Sequence, residues 1–354
     1  MSDQDLATSE LAQAIDTSNS LQQLWIADEH PLPDHLLHQL AGQNVYLISN
    51  RYDQVKRAKD RGVRAAFNDF DLQHPEQKLW DRIYFRVAKE KAVVHHIINS
   101  AADTLRDKGT LWLAGHKKEG TKTYLSKAED RFGCKAMVKR GKDQLYVGHL
   151  DLYQKNPPLP DDDYHDLRLI PMSESESFWS KPGLYGWNRI DKGSQFLAEN
   201  LEGLNISLAE SRILDLGCGY GYLSCKAIEL GAKVIVATDN CAAAVLACNK
   251  NMEPLKTQGD FTCSADDCGD GISGKFDLIL CNPPFHAGFS ISSELHQRFV
   301  QAIRNKLADK GQALVVVNQF LRLQNICEEN GLEIVERIRD NQRHFDLYRL
   351  QHRR

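Results

Sequence analysis

The stretch Ile213-Leu-Asp-Leu-Gly-Cys-Gly-Tyr-Gly-Tyr-Leu223 carries the clearest fold signal in the second half of the chain. It is an apolar strand that breaks into three alternate glycines and continues as helical sequence from Tyr222 to Leu230. Glycines let the backbone turn sharply and approach a ligand closely, and the first turn of the following helix offers unbonded N–H groups. The stretch therefore predicts a strand, a ligand-binding turn and a helix, which is a typical unit of an α/β sheet.

The spacing of the glycines and the acid before them indicate which ligand is bound. Gly217, Gly219 and Gly221 are separated by single residues, whereas dinucleotide-binding enzymes use the spacing GxGxxG. Asp215 would repel a pyrophosphate, but it suits a ligand that carries an amino group and a positive charge. We therefore expect S-adenosylmethionine as the cofactor, with Asp215 near its amino-acid end.

Two further acidic positions follow strand-like segments. Asp239 ends an apolar segment 24 residues after Asp215, where a carboxylate can accept hydrogen bonds from both ribose hydroxyls. A cap on the next helix is the alternative explanation, but the glycine turn favours ribose binding. Asp266 is the expected contact to the adenine amino group, and the sequence leaves Asp267 open as the alternative.

The motif Asn282-Pro-Pro-Phe-His286 directly follows the apolar strand 276–281. Two consecutive prolines cannot belong to a central strand, and a rigid loop at the carboxyl end of a strand is where an α/β sheet places its site. An exocyclic amine is a poor nucleophile because its lone pair is delocalised into the ring. If the Asn282 side-chain oxygen and the Pro283 carbonyl accepted its hydrogens, the nitrogen would become pyramidal and could be aimed at a methyl group, with Phe285 stacked on the base. The motif predicts methylation of an exocyclic amino nitrogen on a nucleobase, driven by proximity and orientation.

Neighbouring residues are assigned to substrate binding. Pro284 and His286 continue the motif; His286 is a possible base, although loop histidines more often take no part in the chemistry. Trp187 and the segment Ile190-Asp-Lys-Gly-Ser194 are placed to close over cofactor and base. A helix cap at Asp191 or Ser194 explains that segment equally well.

Strand-like and helical segments alternate through the whole chain, as in an α/β protein. Strands are predicted at 45–48, 82–85, 110–114, 212–216, 233–239, 276–281 and 312–318, with a helix at 89–106. The proline-rich stretch 153–163 separates the two halves. We predict domains at 1–152 and 167–354, joined by a linker at 153–166.

The two halves resemble each other. Trp80–Phe85 and Leu105–Leu113 recur as Lys275–Leu280 and Leu307–Val315, which we interpret as duplication rather than as chance likeness of generic βαβ sequence. The first copy lacks a glycine-rich turn, and Arg86-Val-Ala-Lys-Glu replaces the Asn-Pro-Pro-Phe-His motif. The predicted fold is two tandem Rossmann-like methyltransferase-type domains, of which the N-terminal one is degenerate.

Composition sets further limits. The chain has 354 residues, a formal charge of −4 and no apolar run of the roughly 20 residues that a membrane helix needs. Acidic residues precede the first cation, Arg51, which fits neither a secretory signal nor a transit peptide, so we expect a cytoplasmic protein. The nine cysteines show no CxxC spacing, which predicts free thiols and no metal site. Positive charge is concentrated between Thr104 and Lys142, where eleven Lys and Arg face four Asp and Glu.

These motifs resemble those of the bacterial ribosomal RNA guanine-N2 methyltransferases over nearly the whole chain. The resemblance is carried by Leu214-Asp-Leu-Gly-Cys-Gly219, the Asn282 motif and Gly183-Leu-Tyr-Gly-Trp-Asn-Arg-Ile-Asp-Lys-Gly-Ser194. Tyr185 departs from the family's phenylalanine. The resemblance implies N2-methylguanosine in 16S rRNA as the product, the 30S subunit or an assembly intermediate as the substrate, and RNA binding by the N-terminal copy through its basic stretch. We expect a monomer.

Other functions stay open. A guanine-N2 methyltransferase of 23S rRNA shares the layout, and a protein-glutamine methyltransferase uses the same hydrogen-bonding logic, although Phe285 argues against it. A DNA adenine methyltransferase lacks support because no sequence-reading domain is evident. The non-enzyme alternative is a ribosome-assembly factor that binds RNA and keeps the cofactor for stability only.

Overall fold

The computed structural model describes residues 5–73, 79–203, 206–284, 293–321 and 323–353. The chain divides into two compact units, Met1–Asp166 and Leu167–Arg354. Each contains a mixed sheet of seven strands flanked by helices, so the predicted α/β fold with two tandem domains is confirmed. Across the described ranges, no helix is both long and apolar enough to cross a membrane.

Among its described residues, 5–73 and 79–166, the first unit contains seven strands and five α-helices. Its strands are β1 Gln23–Ala27, β2 Val45–Ser49, β3 Arg64–Phe67, β4 Trp80–Arg86, β5 Leu105–His116, β6 Met137–Arg140 and β7 Leu145–Asp151. Its helices are α1 Leu6–Gln13, α2 Asp34–Ala41, α3 Tyr52–Asp60, α4 Lys91–Thr104 and α5 Thr121–Phe132. The strand order is β3-β2-β1-β4-β5-β7-β6. Separate apolar clusters pack on the two faces, as a mainly parallel sheet requires.

The second unit repeats this plan after a short hairpin. The hairpin strands are β8 Arg168–Pro171 and β9 Ser177–Ser180. The main sheet contains β10 Arg212–Leu216, β11 Val234–Asp239, β12 Asp260–Ala265, β13 Phe276–Cys281, β14 Leu307–Asn318, β15 Leu332–Asp340 and β16 Phe345–His352. The helices are α6 Lys192–Glu199, α7 Tyr222–Glu229, α8 Ala242–Met252, α9 Ser293–Lys306 and α10 Leu323–Glu329.

The strand order of the second sheet, β12-β11-β10-β13-β14-β16-β15, is the order of the first sheet repeated. The order reverses direction between β10 and β13, which lie side by side and are parallel. In such sheets ligands bind beyond the carboxyl ends of the strands at this switch point. The glycine turn follows β10 and the Asn-Pro-Pro motif follows β13, so the fold brings the two motifs to the same edge.

The predicted strands are all present, with small differences at their ends. Gln312–Asn318 is the second half of a strand that already begins at Leu307, and the helix expected at 89–106 ends at Thr104 because β5 starts there. The strand β1, whose five residues are all buried, was not among the predicted strands. Residues 153–166 lie in the first unit, where Leu159 and Tyr164 join its apolar core.

Candidate active site

The glycine turn after β10 adopts a backbone that other residues rarely reach. Gly217, Gly219 and Gly221 have φ values of 80°, 55° and 90°, all in the left-handed region. A side chain at Gly221 would also place its Cβ 2.8 Å from the sulfur of Cys248. A Cβ at Gly219 would meet nothing within 4 Å, so open space lies beside the turn. The turn is therefore both fixed in shape and accessible to a ligand.

Asp215 lies fully buried beneath this turn. Its Oδ2 accepts hydrogen bonds from the backbone nitrogen and the hydroxyl of Ser224, at 3.0 and 2.6 Å. Its Oδ1 is buried and has no hydrogen-bond partner among the described residues. Burial raises the pKa of Asp215 to about 7. A cationic group beside Oδ1 would compensate that oxygen and favour the ionised carboxylate, which fits the amino-acid end of S-adenosylmethionine.

Asp239, at the end of β11, connects the turn to the next helix. Its Oδ2 accepts the Gly219 backbone N–H at 2.9 Å, and its Oδ1 accepts the Cys241 backbone N–H at 2.9 Å. Cys241 directly precedes α8, so Asp239 also partly fulfils the alternative role of capping the next helix. Each carboxylate oxygen has a second lone pair, so these bonds are compatible with ribose hydroxyls as further donors.

The two candidates for the adenine contact differ in their surroundings. Asp266 is buried, and its backbone nitrogen bonds the carbonyl of Asp239 at 3.0 Å. Its Oδ2 accepts the Gly271 N–H at 2.8 Å. Asp267 instead forms an ion pair of 2.6 Å with Arg298 of α9. The position of Asp266 beside Asp239 favours it over Asp267.

Asn282, directly after β13, is held by two residues of a segment 90 positions earlier. Its Nδ2 donates to Asp191 Oδ2 at 2.7 Å and to Ser194 Oγ at 2.8 Å. Its Oδ1 is buried and, within the described part of the chain, has no hydrogen-bond partner. Asp191 also accepts the Ser194 N–H at 2.9 Å as the N-cap of α6, so the cap explanation is confirmed. The same carboxylate thus caps a helix and orients the Asn282 amide.

The rest of the motif is partly described. Pro283 is buried and Pro284 is exposed, whereas Phe285 and His286 lie outside the described residues. His296 of α9 is buried close to Pro284; burial lowers the pKa of its ring, which the Pro284 backbone opposes. His296 was not among the residues predicted from the sequence.

Trp187, Tyr185 and Phe320 differ in how far their rings are exposed. Trp187 packs partly buried against the core of the unit, with the Arg168 guanidinium 5.8 Å from its ring centre. Tyr185 is 76% exposed and interacts with the Asp191 carboxylate. Phe320 is 90% exposed, two residues after the end of β14. Tyr185 and Phe320 were not among the residues predicted to contact the substrate, although Tyr185 lies in the segment Gly183–Ser194 that carries the family resemblance.

The corresponding place in the first unit can be located through the strand registers. Gln22 donates its backbone N–H to Asp81 as Arg212 does to Asp277, at 2.7 and 2.9 Å. Counting from this shared contact and following the paired strands gives the equivalent positions. The residues Trp25, Ala27, Ser49 and Arg86 correspond to Asp215, Gly217, Asp239 and Asn282.

Arg86 fills the position where the second unit has its amide. Its guanidinium is 5% exposed and bonds Glu119 through two nitrogens at 2.8 Å and Asp5 at 2.9 Å. The Nε, Nη1 and Nη2 atoms of Arg86 thus each donate a hydrogen bond to an acid of the same unit. The loss of the cofactor-site residues agrees with a degenerate first domain.

The fold and this site define a Rossmann-like methyltransferase domain preceded by a degenerate copy. The family described as methyltransferase small domain matches residues 175–349, and the one described as methyltransferase small domain N-terminal matches residues 18–156. The chain belongs to the methyltransferase small domain family, whose two domain descriptions together cover most of its length.

Relatives with known names are similar over most of their length. The ribosomal RNA small subunit methyltransferase C of Marinomonas sp. (strain MWYL1) is 26% identical over 88% of this chain and 92% of the relative. The protein of the same name from Pseudoalteromonas atlantica is 25% identical over 83% and 85%. The T. thermophilus 16S rRNA N2 G1207 methyltransferase, solved in complex with AdoMet and guanosine, superposes with a TM-score of 0.80 at 23% identity, covering 99% of this chain and 92% of that one.

Proposed function

We propose that this protein transfers a methyl group from S-adenosylmethionine to the exocyclic N2 amine of a guanine in 16S rRNA. The observation that carries the proposal is the fixed orientation of the Asn282 amide at the switch point of the sheet. The names of the relatives from Marinomonas and Pseudoalteromonas support the small ribosomal subunit as the source of the substrate.

Asp191 determines which end of the Asn282 amide faces the substrate. A carboxylate only accepts hydrogen bonds, so it fixes the NH₂ end of the amide towards itself and directs Oδ1 away. The directed oxygen and the Pro283 carbonyl accept the two N–H groups of the guanine amine, which favours a pyramidal nitrogen with an available lone pair. The cofactor, when bound, supplies an electrophilic methyl group on its sulfonium. Asn282 and Pro283 contribute by orientation, and the amine proton leaves during or after the transfer.

Three carboxylates bind the cofactor in this proposal. Asp215 interacts with the amino-acid end, where its buried oxygen lacks a protein donor among the described residues. Asp239 accepts the ribose hydroxyls and Asp266 accepts the adenine amino group. The left-handed backbone at Gly217, Gly219 and Gly221 lets the main chain approach the ligand closely.

Aromatic side chains hold the base. Phe285 follows the two prolines and stacks on the guanine, and Pro284, His286 and Trp187 complete the substrate contacts. Base–aromatic stacking needs an accessible ring, and the exposed rings of Tyr185 and Phe320 meet this requirement among the described residues.

The domain 1–152 binds RNA, and 153–166 joins it to the catalytic domain 167–354. The basic stretch of the first domain provides phosphate contacts that position the RNA without reading its sequence. Some of its cations are already engaged, because Lys135, Lys139 and Arg131 form ion pairs with acids of the same unit. The exposed strand β6 presents Arg140 on the edge of the sheet. We propose that a monomer acts in the cytoplasm on the 30S subunit or an assembly intermediate, without a metal in the transfer step.

Incubation of the purified protein with radiolabelled S-adenosylmethionine tests this proposal. Unmethylated 30S particles, 50S particles and a release-factor protein are offered separately, and the labelled product is digested to nucleosides. N2-methylguanosine from 30S particles alone is the expected result, and the position named for the T. thermophilus relative is the first to map. Label in 50S particles or in protein would overturn the substrate but keep the Asn282 mechanism. No label anywhere would favour a binding factor without activity.

A further inference from the structure

Three cysteine side chains converge beneath the glycine turn. Cys218 lies between the first two glycines, Cys248 lies on α8 and Cys263 on β12. Their sulfur atoms are all within 4.8 Å of one another, and the Cys218 and Cys263 sulfurs are 3.8 Å apart. Cys218 and Cys248 are buried and Cys263 is partly buried. The sequence predicted free thiols here because no CxxC spacing is present; 30 and 15 residues separate the three cysteines.

The spacing of the sulfurs suits coordination of one metal ion. With metal–sulfur bonds of about 2.3 Å, three thiolates around one ion lie about 4 Å apart, which is close to the arrangement in the free protein. A disulfide needs a sulfur–sulfur distance of about 2.05 Å, so Cys218 and Cys263 would have to move much closer together. Thiolates prefer soft or borderline d¹⁰ cations over hard ones. The geometry therefore favours a metal over a disulfide.

The surrounding chain accommodates the cluster. Gly221 has no side chain, and a Cβ there would lie 2.8 Å from the Cys248 sulfur, so this glycine leaves the room that Cys248 occupies. Asn249 bonds the backbone carbonyl of Cys263 at 3.1 Å, which fixes β12 against α8. The three sulfurs thus sit on segments that are already held together.

We propose that Cys218, Cys248 and Cys263 form a three-thiolate site for a single soft d¹⁰ cation such as Zn²⁺, Cd²⁺ or Cu⁺. Binding replaces three S–H bonds with three sulfur–metal bonds and releases three protons, with no change of oxidation state. The bound ion links the glycine turn, α8 and β12. It takes no part in methyl transfer.

Titration of the full-length, reduced and metal-stripped protein with Cd²⁺ tests the site through the ultraviolet charge-transfer absorption of cadmium–thiolate bonds. We expect saturation at one equivalent per chain. Replacing Cys218, Cys248 or Cys263 individually with serine should weaken binding by about 10- to 100-fold or more, since each removes a ligand. Cys225→Ser, a buried cysteine on α7 outside the cluster, should bind like the unchanged protein. Cd²⁺ binding that is unaltered in each of the three serine variants would overturn the proposal.

X-ray absorption of the cadmium-loaded, unsubstituted protein tests the same site without relying on variants that fold. Three sulfur neighbours are expected in the first coordination shell. A shell of oxygen and nitrogen, the absence of binding, or a Cys218–Cys263 disulfide in place of a metal would each contradict the site. Because neither measurement involves methyl transfer, the outcome is independent of the proposed RNA substrate.

Discussion

The side-chain nitrogen of Asn282 lies 2.7 Å from Oδ2 of Asp191, 91 residues earlier in the chain. This contact joins the loop after β13 to Asp191, the N-cap residue of α6. It converts an amide that could present either end into one that presents its oxygen. The chemistry proposed for Asn282 therefore depends on a partner outside its own motif.

Replacing Asn282 with alanine tests the catalytic role of the directed oxygen. We expect methyl transfer to fall by about 10²- to 10³-fold, the usual effect of deleting one preorganised hydrogen-bonding group. Cofactor affinity should stay unchanged, as measured by calorimetry. Asn305→Ala, at an exposed position of α9 in the same domain, is the control. A rate unaffected by Asn282→Ala would instead support the non-catalytic assembly factor.

Replacing Asp191 with asparagine separates its two roles. Asparagine is as good an N-cap as aspartate, so the free energy of unfolding should change by less than about 0.5 kcal/mol. The new amide can donate as well as accept, so Asn282 is no longer held in one orientation. We expect kcat to fall about 10-fold while KM for the cofactor is retained. A loss of stability with unchanged kcat would assign Asp191 to capping alone.

The buried carboxyl of Asp215 should make the stability of the cofactor-free protein depend on pH. Its pKa is about 7 in the folded protein and near 3.8 in the unfolded chain, so between these values the folded state holds a proton that the unfolded state has lost. Stability therefore falls as pH rises from about 4 to 7. Urea unfolding across this range should show the slope, and Asp215→Asn should reduce it. Equal slopes in both proteins would contradict a raised pKa.

The same carboxyl predicts how cofactor binding varies with pH. A positively charged ligand favours the ionised form, so affinity for S-adenosylmethionine should increase as pH rises towards 7. Calorimetry in buffers of different ionisation enthalpy should detect proton release on binding near pH 6. Asp215→Asn should bind weakly at every pH in this range and release no proton. Release that persists in this variant would point to another group.

Removing one partner of the buried ion pairs of Arg86 should lower the free energy of unfolding of the first domain. Arg86→Ala leaves the buried Glu119 carboxylate without its cation, which should cost about 3–5 kcal/mol of unfolding free energy. The exposed pair of Arg106 with Asp81 is the matched control, because Arg106→Ala should cost less than about 1 kcal/mol. Chemical denaturation of both variants gives the comparison, and similar costs would show that burial of Arg86 is not decisive.

Local sequence patterns predicted much of this architecture because strands, turns and prolines act over short distances. The three alternate glycines and the Asn-Pro-Pro motif identified the two loops that form the site. Long-range contacts left no such pattern: nothing near Asn282 indicates that Asp191 would orient it, and nothing near Cys218 indicates that Cys248 and Cys263 approach it. The strand β1 was missed because it is short and buried on both faces, so no alternation of polar and apolar residues marks it.

The ion pairs of Arg86 also bear on the evolutionary history of the chain. In the first unit, the Arg86 guanidinium and its two acids occupy the place that the Asn282 amide holds in the second unit. A first step back at Arg86 would leave the buried Glu119 carboxylate without its cation while Trp25 and Ser49 were still unchanged, so that step is unfavourable. The buried ion pairs of Arg86 thereby oppose the return of a second cofactor site in the first unit.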